Sequence, residues 1–246
     1  MSAEFKTNVL VVDDDKEIVG AIAALLEREG YNIYKAYDGL MALDMVMSND
    51  IHLMLIDVMM PNMDGLSAIM RIRETKNIPI IVLSAKTEDT DKVVGLSVGA
   101  DDYMSKPYNP MELVARVKSG LRRYMHFGAF SGNNGNSKVN NEDNEDVVTV
   151  GGLELYLKDK KLLVDGEAVK LTATEFKILE LLMQNPGRIY SAEEIYVKVW
   201  NEEGYGVENT VMVHIRHIRE KVEINPKEPR YIKVVWGLGY KLEEGK

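Results

Sequence analysis

The sequence predicts an α/β chain: a five-stranded parallel sheet, doubly wound with helices on both faces, followed by a second, smaller α+β domain. Three observations predict it. Between residues 8 and 124, short apolar runs alternate five times with stretches of helical spacing. Between 128 and 146 the composition turns to Gly, Asn, Ser and acids (GAFSGNNGNSKVNNEDNED). From 147 on, short alternating strands precede two helix-opening S/T-x-x-E boxes and a closing strand pair. At 246 residues the chain is long enough for two domains with their own cores.

The elements follow in order. Residues 8–12 (NVLVV) form a strand that ends on Asp13-Asp14-Asp15. Residues 16–28 carry Ile18, Ala21, Ile22, Leu25 and Leu26 at helical spacing, with Gly30 as the stop. Residues 32–36 alternate as a strand and 40–47 are helical. Residues 53–56 (LMLI) run without interruption into Asp57, and Pro61, Asn62 and Asp64-Gly65 make a turn at once. A short continuous apolar run bounded by turn residues suits a strand buried on both faces. Residues 66–73 are helical, and 78–83 (IPIIVL) form another buried strand that ends at Ser84. A helix over 91–98 stops at Gly99. A short strand over 102–105 leads to Lys106-Pro107, and 110–124 form a long amphipathic helix. This alternation specifies parallel strands joined by right-handed crossovers, in a flavodoxin-like order.

The domain boundaries fall at 1–125, at a flexible linker over 126–146, and at 147–246. In the last segment, strands are expected at 148–150, 153–157, 161–164 and 168–171. Asp159-Lys160 and Asp165-Gly166 separate them, the second a good hairpin signal. Capping boxes at Thr172-Ala-Thr-Glu175 and Ser191-Ala-Glu-Glu194 open helices over 173–184 and 192–199. A third helix covers 208–223, and strands over 231–235 and 240–243 are joined through Trp236-Gly-Leu-Gly239.

Composition narrows the function classes. Apolar residues make up 46% and charged residues 28%, as in a water-soluble globular chain. No run is apolar enough to cross a bilayer, and MSAEFKTNVL lacks the regions of a signal peptide. With no cysteine, disulfides and thiolate metal sites are excluded. A cytoplasmic chain with no membrane partner is expected. The net charge of −9 divides as −5 over 1–125, −3 over 126–147 and −1 over 148–246. The last domain is therefore not basic overall, and DNA binding there needs a local patch.

In a sheet built from these strands, Asp13, Asp14 and Asp57 reach the same carboxyl edge, where open α/β sheets hold ligands. Three carboxylates repel one another unless a cation sits among them. Mg²⁺ fits: it takes oxygen ligands, uses few carboxylates, keeps waters and bridges to phosphate. Ser84 and Lys106 close the next two strands. A hydroxyl and an ammonium beside an acyl phosphate hold its oxygens and offset its charge. Asp13–Asp15 alone would read as solvated carboxylates. The full set, each member closing a different strand, points to Asp57 as a phosphoacceptor.

The segment 8–124 resembles the receiver domain of bacterial two-component response regulators, on VVDDD, LMLIDVMMPNMDG, IVLSA and GADDYMSKPY. The resemblance implies that a sensor histidine kinase phosphorylates Asp57. It implies Mg²⁺ held by Asp14, Asp57 and the Met59 main-chain carbonyl, with Asp13 acting through water. Ser84 and Lys106 would hold phosphoryl oxygens, and the Lys106–Pro107 bond would be cis. Ser84 and Tyr103 would form the switch, with Ser84 moving toward the phosphoryl group and Tyr103 turning inward. Lys92, Asp101, Asp102, Glu112, Arg116 and Arg123 share one face. Taken alone this is a solvated charged face, each surface pair contributing ~0–1 kcal/mol. The resemblance implies salt bridges across a two-fold dimer: Lys92 with Glu112, Asp102 with Arg116, Asp101 with Arg123.

In the 208–223 helix, Val211, Ile215, Ile218 and Val222 make one apolar stripe that must face a core. The opposite face then shows Asn209, Val213, Arg216, His217 and Glu220, with Thr210, His214 and Lys221 beside it. Such residues can touch phosphates and base edges in a major groove. The two histidines lack carboxylate or thiol companions, so no metal is assigned to them. LTATEFKILELL, VMVHIRHIREKV and YIKVVWGLGYKL resemble the winged helix-turn-helix effector of the OmpR/PhoB class. The 208–223 helix would be the recognition helix and 235–240 the wing. Many relatives carry an arginine where Trp236 stands, so Trp236 is expected to pack on sugar-phosphate. RHIREK and VWGLGYK resemble the vancomycin-resistance regulators within that class.

The expected function is a phosphorylation-activated transcription regulator that dimerises through its receiver and binds promoter half-sites on double-stranded DNA. RNA polymerase is a further partner this class allows. No enzyme activity is expected beyond its own phosphoryl transfer and hydrolysis. One rival is a phosphate sink whose second domain serves protein contacts. Another is a DNA binder indifferent to phosphorylation.

Overall fold

The structure is a computed structural model that describes residues 7–85, 96–128, 146–201 and 207–244. The chain divides into two compact units, 1–124 and 125–246. Residues 91–95 of the helix expected over 91–98, and 129–145 of the expected linker, lie outside the described residues.

In the first unit, β1 (Asn8–Val12), β2 (Asn32–Ala36), β3 (Leu53–Asp57), β4 (Ile80–Ser84) and β5 (Asp102–Ser105) pair all-parallel in the order β2-β1-β3-β4-β5. Helices α1 (Lys16–Arg28), α2 (Gly39–Ser48) and α3 (Gly65–Arg73) fill the first three crossovers, and α4 (Pro110–Gly128) follows the last strand. The continuous apolar runs have their reason here. β3 and β4 are buried along their whole length, because helices cover both faces. Each of α1, α2 and α3 opens on an aspartate whose carboxylate accepts backbone N–H groups: Asp15, Asp38 and Asp64. Asp15, the third residue of the acidic run, is thus spent on a cap. The hydrogen bonds to Met41 N–H and Asn62 hold the Asp38 carboxyl below the usual carboxylate range. The Ser67 backbone and hydroxyl do the same for Asp64.

In the second unit, β6 (Val147–Val150), β7 (Leu153–Tyr156), β8 (Lys161–Val164) and β9 (Glu167–Val169) form an antiparallel sheet in sequence order. The β8–β9 turn uses positive φ at Asp165 (49°) and Gly166 (86°), as an Asp-Gly hairpin requires. β9 ends sooner than the expected 171, because the chain must leave the ladder to set Thr172 as a cap. Helices α5 (Ala173–Met183) and α6 (Ala192–Trp200) carry the complete capping boxes Thr172/Glu175 and Ser191/Glu194. Helix α7 (Glu208–Val222) follows, then the hairpin β10 (Ile232–Val235) and β11 (Gly239–Leu242). Phe176, Leu179, Tyr190, Trp200, Ile215 and Ile218 meet in one core. Gly239, at φ 138°, lets the hairpin close on Tyr190: a Cβ there would lie 2.0 Å from the Tyr190 carbonyl oxygen.

Replacing Ser191 by Ala removes the acceptor that takes the Glu194 N–H at 3.0 Å. The expected cost is about 1 kcal/mol, read as a lower urea midpoint of the second unit's unfolding with an unchanged midpoint for the first.

Candidate functional site

The strand order sets the chemistry. β1 and β3 are neighbours, so the residues after β1 and at the end of β3 come together, and β4 and β5 carry Ser84 and Lys106 to the same edge. Asp13 and Asp57 are 1% and 5% exposed. Between them lies the Lys106 ammonium, 2.6 Å from Asp13 Oδ2 and 2.7 Å from Asp57 Oδ1. Asp57 Oδ2 accepts the Met59 N–H at 2.6 Å, and Asp13 Oδ1 accepts the Asp15 N–H at 3.0 Å. Asp14 is exposed beside them, and Ser84 is buried. The Lys106–Pro107 bond is cis. Burial alone would lower the Lys106 pKa, but the hydrogen bonds and negative charges of Asp13 and Asp57 outweigh it and raise it above the usual lysine value.

The Asp57 turn depends on a close approach. Gly65 N–H donates to the Val58 carbonyl at 3.0 Å. A Cβ on Gly65 would stand 2.0 Å from the Asp57 carbonyl oxygen. Asp64-Gly65 therefore caps α3 and lets its first turn lie against the backbone that aims Asp57.

On the charged face the pairs close within the single chain. Arg116 Nη1 donates to both oxygens of Asp102 at 2.8 and 2.7 Å, and Arg116 Nη2 donates to Glu112 at 2.9 Å. Asp101 is 3% exposed; its Oδ2 accepts from Arg73 at 2.7 Å and from the Ile80 N–H at 3.0 Å. Arg123, 6% exposed, donates to Ser119 Oγ at 2.7 Å. The open charged face expected at Asp101, Asp102 and Arg123 is corrected: all three residues are buried. Arg73 gave no sequence signal beyond a basic residue in a last helical turn. It also grips the carbonyls of Gly99 and Ile78 at 2.7 and 2.6 Å. Tyr103, on β5, is buried at 7% exposure. Lys92 lies outside the described residues.

On α7 the expected exposed face is rotated. Val213 and His214, expected outside, are 1% and 2% exposed, and the His214 ring lies 5.4 Å from that of Trp200. The cause is that α5 and α6 both pack on α7, so its buried arc is wider than one stripe. Asn209, Thr210 and His217 are half-buried, and Arg216 is exposed with its Nε 2.8 Å from Glu220. Lys221 is held by the buried Glu175 at 2.6 Å, inside the α5 capping box. The exposed residues of α7 are Glu208, Met212, Arg216, Glu220 and Lys221. A four-residue repeat was visible in the sequence, but Met212 reads as one more apolar residue. Trp236 is 91% exposed at the hairpin tip.

Residues 9–118 match the response regulator receiver domain, and residues 166–242 match the C-terminal domain of transcriptional regulatory proteins. The regulatory protein VanR of Enterococcus faecium is 38% identical over 96% of this chain and 98% of its own length. The alkaline phosphatase synthesis regulator PhoP of Bacillus subtilis is 40% identical over 97% of each chain. The chain belongs to the OmpR/PhoB-type response regulators. A solved structure of a RitR mutant shares the fold, with a TM-score of 0.71 at 23% identity over 97% of this chain and 100% of that one. Response regulators of this type make transcription depend on phosphorylation through a receiver and a DNA-binding domain, and a sensor kinase is their partner. The chain is such a regulator rather than an enzyme of the ordinary kind. Among the described residues, no helix is long and apolar enough to cross a membrane.

Receiver domains typically bind Mg²⁺, and the donor set suits that ion. Two carboxylates converge on one ammonium and Asp14 stands open beside them. Mg²⁺ requires only one or two carboxylates with waters and phosphate. Among the described residues, no three or more His, Cys, Asp or Glu side chains stand close enough together to hold a metal ion by themselves, so water and phosphate oxygens would complete the shell.

Two outcomes are expected. Gly65→Ala pushes the turn off Asp57 and lowers the rate of phosphorylation from a small phosphodonor by more than about ten-fold, in line with the cost of misplacing reacting groups. Lys106 has a folded pKa raised above its unfolded value, so its stabilisation is complete below the ordinary lysine range and is lost as pH rises through the raised value. The stability difference between the wild type and Lys106→Gln, by urea denaturation, should be flat from pH ~7 to ~9 and shrink only above the ordinary lysine pKa of about 10.4.

Proposed function

We propose that Asp57 accepts a phosphoryl group from the sensor histidine kinase and that this event drives dimerisation and promoter binding in the cytoplasm. The observation that carries the reading is the single ammonium of Lys106 shared by Asp13 and Asp57. The Met59 N–H and Lys106 fix the Asp57 carboxylate, leaving it oriented as an oxygen nucleophile. Its oxygen forms the new P–O bond as the bond to the donor's leaving group breaks. Lys106 is then the nearest cation to the added charge, and Ser84, one residue beyond the Asp57-paired Leu83, supplies a hydroxyl. Mg²⁺, held by Asp14, Asp57 and the Met59 carbonyl with Asp13 through water, would offset charge on the phosphoryl oxygens. Hydrolysis of the aspartyl phosphate resets the site.

The dimer forms through the face that carries Lys92, Asp101, Asp102, Glu112, Arg116 and Arg123, with Asp101, Asp102, Glu112, Arg116 and Arg123 exchanging their intrachain partners for interchain ones. Phosphorylation draws Ser84 toward the phosphoryl group and biases Tyr103 toward the inward orientation. In the second unit, α7 enters a major groove with Asn209, Thr210, Arg216, His217 and Lys221, while the buried Val213 and His214 support it from behind. The tip residues 234–240 (VVWGLGY) contain no cation, which supports Trp236 packing on sugar-phosphate rather than pairing with a phosphate. RNA polymerase is the partner that reads the bound dimer. Joining two weak DNA contacts in one dimer raises the effective concentration of the second.

A mobility shift on duplex promoter DNA tests this, with and without a small phosphodonor and Mg²⁺. A shift strengthened at least ten-fold by phosphodonor, and lost from Asp57→Asn, is expected. No shift in either state removes the DNA reading, and equal shifts remove the switch. Arg116→Glu, and the milder Glu112→Lys at an exposed site, should leave the phosphorylated chain monomeric by light scattering. Dimers of normal strength in both would remove the interface.

A further inference from the structure

Helix α7 has only a narrow face left for recognition. Val211, Val213, His214, Ile215, Ile218 and Val222 are all buried. Four of its exposed residues form a stripe that repeats every four positions, Glu208, Met212, Arg216 and Glu220; the fifth, Lys221, is held by Glu175 at 2.6 Å. Both ends of the stripe are carboxylates, which phosphates repel. Arg216 is already engaged by Glu220 at 2.8 Å. At the centre stands Met212, 43% exposed, an unbranched apolar side chain on the face where a polar one would be expected. Met212 also lines a cleft whose other wall is the hairpin, through Val234 and Leu238. A duplex seated on α7 therefore meets an apolar centre.

A methionine offers a base pair no hydrogen bond worth counting. In a major groove, the one base feature an apolar side chain can recognise is the 5-methyl group of thymine. Methionine suits this, being flexible, polarisable and long enough to reach a base edge. We infer that Met212 is a specificity-determining residue of this chain and that it selects a thymine by its methyl group. This rests on the DNA-binding reading of α7 given above. Asn209 and Arg216, one turn to either side, flank that thymine with hydrogen-bonding groups, so the methyl contact sits inside the recognition element rather than at its rim.

The test uses the full chain, treated with a small phosphodonor and Mg²⁺, and a duplex selected by it from a random pool. Each thymine is replaced in turn by deoxyuridine, which deletes only the methyl. For the wild type, one position per half-site should lose about four-fold in affinity, the value of one buried methyl-sized group. Met212→Ala should bind that duplex less tightly and be indifferent to the same replacement. An unchanged circular dichroism spectrum checks that this surface variant folds. If the wild type ignores every replacement, or if Met212→Ala remains as sensitive as the wild type, the inference is overturned while DNA binding stands. If no duplex is selected, the DNA reading fails and takes the inference with it.

Discussion

One ammonium between two buried carboxylates is the constraint from which the receiver's architecture follows. Asp13 and Asp57 lie almost wholly out of water, and without a cation their charges would repel and force one to take a proton. Lys106 answers both at once. For that to happen, the strand ends that carry these residues must converge, which the order β2-β1-β3-β4-β5 provides. The remaining local devices serve the same end. Asp15 caps α1 so that the acidic run turns away after Asp14, and Gly65 lets α3 begin directly against the Asp57 backbone. Breaking such a buried arrangement by removing one partner leaves an uncompensated charge, a cost on the order of 3–5 kcal/mol.

The charged face has a different character. Asp102, Glu112 and Arg116 are paired within the chain, and Asp101 is held by Arg73. An interface built on these residues exchanges intrachain for interchain pairs, so the net energy per pair is small. A small bias from the phosphorylated site can then tip the balance, since a population shift requires only a difference in stability between two states.

The acidic site was legible because its signals are local and repeated: Asp13, Asp57 and Ser84 each directly follow an apolar run, Lys106 follows a short strand, and parallel strands buried on both faces are unbroken in sequence. The caps were equally plain at Thr172/Glu175 and Ser191/Glu194. What escaped was set by tertiary neighbours. Val213 and His214 look like surface residues of a one-sided helix, yet α7 is covered from two sides and His214 sits against Trp200. Lys221 looks like a phosphate contact, yet a buried glutamate forty-six residues earlier in the chain holds it. Arg73 organises the approach to β5 through the carbonyls of Lys76, Ile78 and Gly99 and the Asp101 carboxylate, which share no sequence pattern.

The central claim, that the Lys106-bridged acidic edge makes Asp57 and no other carboxylate the phosphoacceptor, is tested most directly by locating the phosphoryl group. The intact chain is treated with a small phosphodonor and Mg²⁺, trapped by borohydride reduction of the acyl phosphate, and mapped by tandem mass spectrometry. The account predicts reduction to homoserine at Asp57 alone. Reduction at Asp13 or Asp14, or at no aspartate of the receiver, would contradict it.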